Sequence, residues 1–97
     1  MAYQSQSLKT RMEIKQARRS VTQAQKQFEF AEASVEQASE DFRIRTDRYQ
    51  QGLETTSDLL RAEARQSQIR LQRLNALYQY NISLATLELL LEQELPN

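Results

Sequence analysis

Residues 49–58 have the sequence Tyr49-Gln50-Gln51-Gly52-Leu53-Glu54-Thr55-Thr56-Ser57-Asp58. This segment contains Gly52, the only glycine among the 97 residues. Glycine readily adopts the left-handed backbone conformation that ends many helices. Thr55 and Asp58 have the three-residue spacing of a capping box, which is typical of a helix start. We therefore predict that one helix ends and another begins here, with a short turn at about residues 51–55.

Before this segment, apolar residues recur every seven positions, and alanine follows three residues after each of the first four. The large residues are Ile14, Val21, Phe28, Val35, Phe42 and Tyr49, and the alanines are Ala17, Ala24, Ala31 and Ala38. A heptad repeat predicts a left-handed coiled coil, and small residues at one core position allow two helices to approach closely. We expect this first helix to begin near Ser5 or Ser7 and to span about residues 5–50.

The second helix is expected over about residues 56–94, with Pro96 stopping it. Its predicted seam, meaning the face that packs on the first helix, consists of Leu60, Ser67, Leu74 and Asn81 with Ala64, Leu71, Tyr78 and Ala85. A further apolar face is formed by Leu77, Tyr80, Leu84, Leu87 and Leu91. Together with Phe30 and Ile44 on the first helix, this face is expected to remain exposed for packing against other helices.

Folding the chain back at residue 53 places residue i near residue 106 − i. Phe42 then lies near Ala64, and Val35 lies near Leu71. Charges of opposite sign also come together: Glu36, Glu40 and Asp41 with Arg65, Arg70 and Arg73, and Lys15, Arg18 and Arg19 with Glu88 and Glu92. The agreement favours an antiparallel hairpin over two parallel chains. Residues 1–97 are thus predicted to form one all-α unit, an antiparallel two-helix coiled-coil hairpin.

The composition argues against catalysis and against metal or cofactor binding. The chain has no Cys and no His, so it lacks the usual nucleophiles, bases and zinc ligands. Its 13 basic and 13 acidic residues cancel, which gives little support to nucleic-acid binding. A basic arm for nucleic acid or a membrane surface is the weaker alternative, because its cations are spread around the helix; they are Lys9, Arg11, Lys15, Arg18, Arg19 and Lys26.

The turn and the second helix resemble the TolC-like outer-membrane efflux proteins. The resemblance lies in Tyr49-x-x-Gly52-x-x-Thr55-x-x-Asp58-Leu59-Leu60-x-Ala62 and in Ala76-Leu77-Tyr78-x-Tyr80-x-Ile82. In that family, three protomers form a β-barrel in the outer membrane that an α-helical barrel continues through the periplasm. The resemblance implies that this chain is one periplasmic hairpin of such a homotrimer and a segment of a longer protein.

The resemblance also implies roles at the turn. Gly52, Leu53 and Thr55 would form the tip that docks on a periplasmic adaptor (membrane fusion) protein, and the adaptor would connect the duct to an inner-membrane pump. Tyr49 would help to hold the tip closed, and Asp58 would face the duct lumen. The family often has Arg two residues after the tip glycine, where this chain has Glu54, so a gate latch that needs a cation there is not implied.

One alternative function requires only the heptads. A free-standing coiled-coil interaction module would explain the hairpin but would not need the Tyr-Gly-Thr-Asp turn signature. The isolated segment is also expected to self-associate, through the face formed by Leu77, Leu84 and Leu91.

Overall fold

Two long helices form the whole of the described fold. The computed structural model describes residues 2–94, with side chains from residue 8 onward. Helix α1 spans Ala2–Gln50 and helix α2 spans Thr56–Glu94. They pack as an antiparallel rod of 75 × 18 × 16 Å, so the predicted all-α hairpin is confirmed. Helix α1 begins at Ala2 rather than at Ser5 or Ser7, and Pro96 lies outside the described residues.

The face of α1 that packs on α2 is the predicted heptad seam. Ile14 and three of its alanines are buried, and the other seam residues up to Phe42 are half-buried. The buried alanines are Ala17, Ala24 and Ala38. Because alanine adds little bulk, α2 lies close to α1, and the core is one side chain thick. No large side chain among the described residues is fully buried.

The predicted seam of α2 is wrong. Leu60, Leu71, Leu74 and Tyr78 are 56–64% exposed, and the expected Ala64, Ser67, Asn81 and Ala85 are exposed as well. The observed seam lies on the opposite face and comprises Leu59, Ala62, Gln66, Ile69, Arg73, Ala76, Tyr80, Ser83, Leu87 and Leu90. Leu77, Leu84 and Leu91, which were expected to form a free face, are half-buried beside it.

The reason for this difference is that α2 has apolar residues on two opposite faces. The face that contacts α1 includes three polar residues, Gln66, Arg73 and Ser83, and the first two have partners on α1. Gln66 Nε2 donates a hydrogen bond to Ser39 Oγ at 3.0 Å. The Arg73 guanidinium lies 3.7 Å from the Glu32 carboxylate. A polar side chain at a coiled-coil core position can fix the register of the helices, and hydrophobicity alone does not reveal it.

The antiparallel register agrees with the predicted one to within a single residue. In three contacts between α1 and the rest of the hairpin, the two residue numbers add to 105, where the sequence predicted 106. These contacts are Ser39–Gln66, Glu32–Arg73 and Tyr49–Thr56.

The predicted charge pairing between the helices is largely absent from the described residues. Glu40 pairs with Arg43 and Asp41 pairs with Arg45, all on α1. Among the side chains that the structure describes, Arg73 alone forms an ion pair between α1 and α2, and its partner is Glu32. The expected pairs of Lys15, Arg18 and Arg19 with Glu88 and Glu92 do not form within 4.0 Å. Residues three or four apart on one helix already lie side by side, whereas pairing between the helices requires long side chains to cross the seam.

The opposite face of α2 has a set of exposed large apolar side chains, here called the outer stripe. Its members are Leu60, Leu71, Leu74, Tyr78, Ile82 and Leu89, which are 42–64% exposed. Phe30 and Ile44 are similarly exposed on α1, as predicted. Neither helix has, within the described part of the chain, a stretch apolar enough to span a membrane.

Candidate functional site

The C-terminus of α1 ends in a Schellman motif centred on the single glycine. Gly52 has φ = +78°, and its N–H donates to the Tyr49 carbonyl at 3.0 Å. The Leu53 N–H donates to the Arg48 carbonyl at 2.9 Å. These are the two hydrogen bonds that define the motif, and they satisfy carbonyls that the helix end would leave free. The chain direction therefore reverses with a fixed backbone geometry.

The N-terminus of α2 is capped by Thr55. Its Oγ1 accepts a hydrogen bond from the Asp58 N–H at 3.1 Å, and its carbonyl accepts one from the Leu59 N–H at 3.0 Å. The predicted cap is therefore present. The reciprocal bond of a full capping box, from the Thr55 N–H to the Asp58 carboxylate, is not found among the described residues. Asp58 is in the first turn of α2, where a negative charge is favoured by the helix dipole.

Glu54 is held against α1 by two arginines. Its side chain is only 10% exposed, and its two carboxylate oxygens accept hydrogen bonds from Arg45 Nη1 at 2.9 Å and from Arg48 Nε at 3.1 Å. Arg45 also donates to Asp41 at 3.0 Å, and this hydrogen bond raises the pKa of the Arg45 guanidinium. Asp41, Arg45, Glu54 and Arg48 thus form a charge network that balances two carboxylates with two guanidinium groups.

Tyr49 joins the last turn of α1 to the first turn of α2. The Thr56 hydroxyl donates a hydrogen bond to the Tyr49 hydroxyl at 3.3 Å, and the Tyr49 side chain is 40% exposed. Tyr49 was predicted as the last heptad residue before the turn. Its ring lies at the edge of the seam, and its hydroxyl ties the two helices together within the hairpin.

The end of the hairpin exposes mostly uncharged side chains, beside the Arg48 side chain, which is 54% exposed. Leu53 is 61% exposed, and Gln50, Gln51, Gly52, Thr55, Thr56 and Ser57 are exposed around it. Between Tyr49 and Ser57 the only ionisable carboxylate is that of Glu54, which is turned toward α1. Of the predicted docking residues, Gly52 shapes this surface, Leu53 protrudes from it, and Thr55 caps the helix behind it.

Asp58 lies slightly farther from the end of the rod and is half-buried. It lines a shallow cleft of about 270 Å³ between the helices, together with Asp41, Arg45, Arg61, Ala62 and Arg65. Three arginines and two acidic residues, Asp41 and Asp58, therefore line this cleft.

The turn brings together Tyr49, Gly52, Leu53 and Thr55, whereas Asp58 faces the cleft on the side of the seam. The pairing of Glu54 with Arg45 and Arg48 was not predicted from the sequence. A signal was present in the sequence: Arg45 and Arg48 are three residues apart, so they lie on one face of α1 close to the turn.

The described residues contain no cluster of three or more His, Cys, Asp or Glu side chains that could hold a metal ion.

Comparison with known proteins identifies the family of this chain. A search of curated proteins and a search of solved structures each gave no match. A family model described as Outer membrane efflux protein matches residues 1–93, nearly the whole sequence. The chain therefore belongs to the outer membrane efflux protein family.

Proposed function

We propose that this chain is a periplasmic helical hairpin of a trimeric outer-membrane duct, and that its tip docks on a periplasmic adaptor protein. Membership of the efflux family supports the duct. The hairpin would be a passive part of the channel wall, because export of small molecules or proteins would draw its energy from an inner-membrane pump reached through the adaptor.

The outer stripe supports the role in a channel wall. A compact monomer of this mass exposes about 5,800 Å², whereas this chain exposes 7948 Å². Two helices can cover only one face of each other, so the outer stripe is left for a further layer. Neighbouring hairpins in a helical barrel would supply that layer. A free-standing coiled-coil module would have no need of the outer stripe.

The exposed turn at the end of the rod is the feature that supports docking on an adaptor. One hydrogen-bonded turn holds the exposed Leu53 at the end of a 75 Å rod, where a partner can reach it without contacting the helices. Thr55 extends the same surface. Tyr49 would contribute to closure of the tip, because its exposed edge is available to a neighbouring subunit while its hydroxyl contacts Thr56.

Asp58 is proposed to face the lumen, where carboxylates from three subunits would attract cations. Asp58 is half-buried in the isolated hairpin, so it is not enclosed by the two helices. The arginines that line the same cleft would offset part of its charge. A lumenal ring of Asp58 would therefore favour cations less strongly than the sequence alone suggests.

The test uses the full-length protein and two substitutions of Gly52. Nothing lies within 4 Å of a Cβ built at this position, so a side chain would affect the backbone conformation without a clash. Asn tolerates a positive φ, whereas a β-branched residue does not. We expect Gly52→Val to abolish efflux at normal outer-membrane levels of the trimer, and Gly52→Asn to retain most of it. Unchanged efflux with Gly52→Val would overturn the role of the tip.

A further inference from the structure

We propose that the outer faces of the two helices, which point away from the seam, recognise each other between copies of this chain. The outer face of α2 in one copy would lie against the outer face of α1 in a second copy, with both turns at the same end. The inference goes beyond the proposed function, because it assigns the faces that meet and the charges that select them. It does not depend on an adaptor protein.

The buried seam fixes which side chains point outward. An α-helix turns by about 100° per residue, so a residue two positions after a seam residue points to the opposite side. On α1 the exposed Arg19 follows the buried Ala17 in this way, and on α2 the exposed Glu92 follows the half-buried Leu90. The outer face of α2 comprises the outer stripe with Arg61, Glu88 and Glu92. The outer face of α1 includes Lys15, Arg19, Lys26, Phe30, Ile44 and Asp47.

The two outer faces have opposite charge at the open end of the hairpin. The exposed groups there are Lys15, Arg19 and Lys26 on α1, and Glu88 and Glu92 on α2. None of them forms an ion pair with a described residue. In the observed register Glu88 lies level with residue 17, between Lys15 and Arg19. The groups thus match in height but face away from each other within one hairpin, so only a second copy can bring them together.

Nearer the turn, the charges of the outer faces are reversed. On α1, the exposed Glu40 and Asp47 share one counter-charge, the Arg43 guanidinium, which leaves one negative charge. On α2, Arg61 is exposed and lies level with residue 44, and it forms no ion pair with a side chain that the structure describes. A second copy with its turn at the same end would therefore meet opposite charge in both halves of the rod.

Exposed apolar side chains of the two outer faces also match in height. Leu74 lies level with residue 31, next to Phe30, which is 75% exposed. Leu60 lies level with residue 45, next to the exposed Ile44. Covering these side chains between copies would remove apolar surface from water. The charges would then select the orientation, because an inverted copy would place the carboxylates of α2 against the acidic half of α1.

This contact joins two different faces, so it is heterologous and each copy keeps one free face for a further neighbour. Association can therefore continue from copy to copy until a ring closes. A symmetric dimer through two outer stripes would instead leave the outer face of α1 uncovered. Lys15 and Arg19 would have no part in such a dimer, and this difference separates the two arrangements by experiment.

The experiment measures self-association of the chain by sedimentation equilibrium in about 0.05 M NaCl, where charges are only partly screened. The acidic variant combines Lys15→Glu with Arg19→Glu, and the basic variant combines Glu88→Lys with Glu92→Lys. Each variant alone is expected to associate about tenfold more weakly than the native chain, because like charges then face each other. An equal mixture of the two brings opposite charges together again and is expected to associate within about threefold of the native chain.

The matched control combines Arg11→Glu with Arg18→Glu. It makes the same change of net charge as the acidic variant, at exposed positions of the same helix that lie beside the seam. We expect it to associate within about threefold of the native chain. Circular dichroism verifies that each variant keeps the native helix content. The chain with all four substitutions of the acidic and basic variants exchanges the charges of the two faces, and it is expected to associate like the native chain.

Four outcomes would overturn the inference. The native chain could remain monomeric at high concentration, or the acidic variant could associate as well as the native chain, which would indicate the symmetric dimer. The control could weaken association as much as the acidic variant, which would show an effect of net charge alone. Finally, both the mixture and the chain with four substitutions could associate no better than either variant. Adaptor docking is tested separately by efflux with the Gly52 variants, so the two proposals fail independently.

Discussion

Arg73 and Glu32 form the ion pair that joins the two helices near the middle of the hairpin, with 3.7 Å between guanidinium and carboxylate. The same guanidinium lies 5.4 Å from the centre of the Phe28 ring, within the range of a cation–π contact. Arg73 occupies a seam position where a coiled coil normally has an apolar residue. Its two partners on α1 therefore select one register among those that apolar packing alone would allow.

Cysteine cross-linking can test this register, because the chain contains no cysteine of its own. The side chains of Ser39 and Gln66 are in hydrogen-bond contact. We expect the variant with Ser39→Cys and Gln66→Cys to be bridged readily by a short bifunctional thiol reagent, because the length of one glutamine side chain separates the two positions. The matched control combines Ser39→Cys with Ser67→Cys, whose side chain is exposed away from the seam. Equal rates of cross-linking in the two variants would contradict the observed seam.

The Thr55 cap of α2 predicts that one substitution lowers the stability of the hairpin. Thr55→Ala removes the hydrogen bond from the Asp58 N–H and is expected to lower the free energy of unfolding by about 1 kcal/mol. Thr86→Ala is the control, since the Thr86 hydroxyl bonds to the Ile82 carbonyl inside the helix and caps nothing. Urea unfolding followed by circular dichroism compares the two. Equal effects would count against a specific role of Thr55 as the cap.

The close approach of the helices at the buried alanines predicts that a larger side chain there lowers the stability of the hairpin. Ala38 is buried in the seam, and Ala33 is exposed on the same helix. Ala38→Leu should force the helices apart and destabilise the hairpin by about 1–3 kcal/mol. Ala33→Leu, with the same added volume, should change stability by less than about 0.5 kcal/mol. The measurement is again urea unfolding. If Ala38→Leu left the free energy of unfolding unchanged, the seam would have room for larger side chains.

The outer stripe predicts how the isolated chain associates. Self-association is expected through Leu74 and its neighbours, because Leu77, Leu84 and Leu91 are half-buried beside the seam. Leu74→Glu should shift the chain toward monomer in sedimentation equilibrium. Gln72→Glu adds the same charge to an exposed position outside the outer stripe and serves as the control. A native chain that remains monomeric at high concentration would contradict this prediction.

The ion pair between Glu40 and Arg43 predicts a dependence on pH. A hydrogen bond from Arg43 lowers the pKa of the exposed Glu40 carboxyl. A carboxyl whose pKa is lowered by folding favours the folded state above its unfolded pKa, and this contribution disappears as pH falls through the folded pKa. Titration of the Glu40 carboxyl carbon by NMR should give a midpoint below the ordinary range for glutamate. Arg43→Gln should raise that midpoint, and an unchanged midpoint would contradict the pairing.

The sequence predicted α1 and the turn well because each depended on one local rule. In α1 only one face is apolar at heptad spacing, so the choice of the seam was unambiguous. At the turn, Gly52 and Thr55 each have a backbone function that few other residues perform. These signals require no knowledge of the partner helix.

The seam of α2 could not be found in the same way. Both faces of α2 carry leucines, and the face with Leu71 and Leu74 is the more uniformly apolar near the middle of the helix. The face that packs on α1 includes Gln66 and Arg73, which become suitable core residues only when Ser39 and Glu32 lie opposite them. Such a choice depends on pairwise contacts, and those follow from the fold rather than from hydrophobicity. The charge network around Glu54 also depends on pairwise contacts, although the three-residue spacing of Arg45 and Arg48 was visible in the sequence.

The constant sum of paired residue numbers has a consequence for folding. Since each pair adds to about 105, the length of chain between partners shrinks toward zero at the turn and is greatest at the open end. Closing a short loop costs less conformational entropy than closing a long one. The first contacts should therefore form next to Gly52, and pairing should extend from there toward the chain termini. The same gradient makes the open end the first part to separate when the helices come apart.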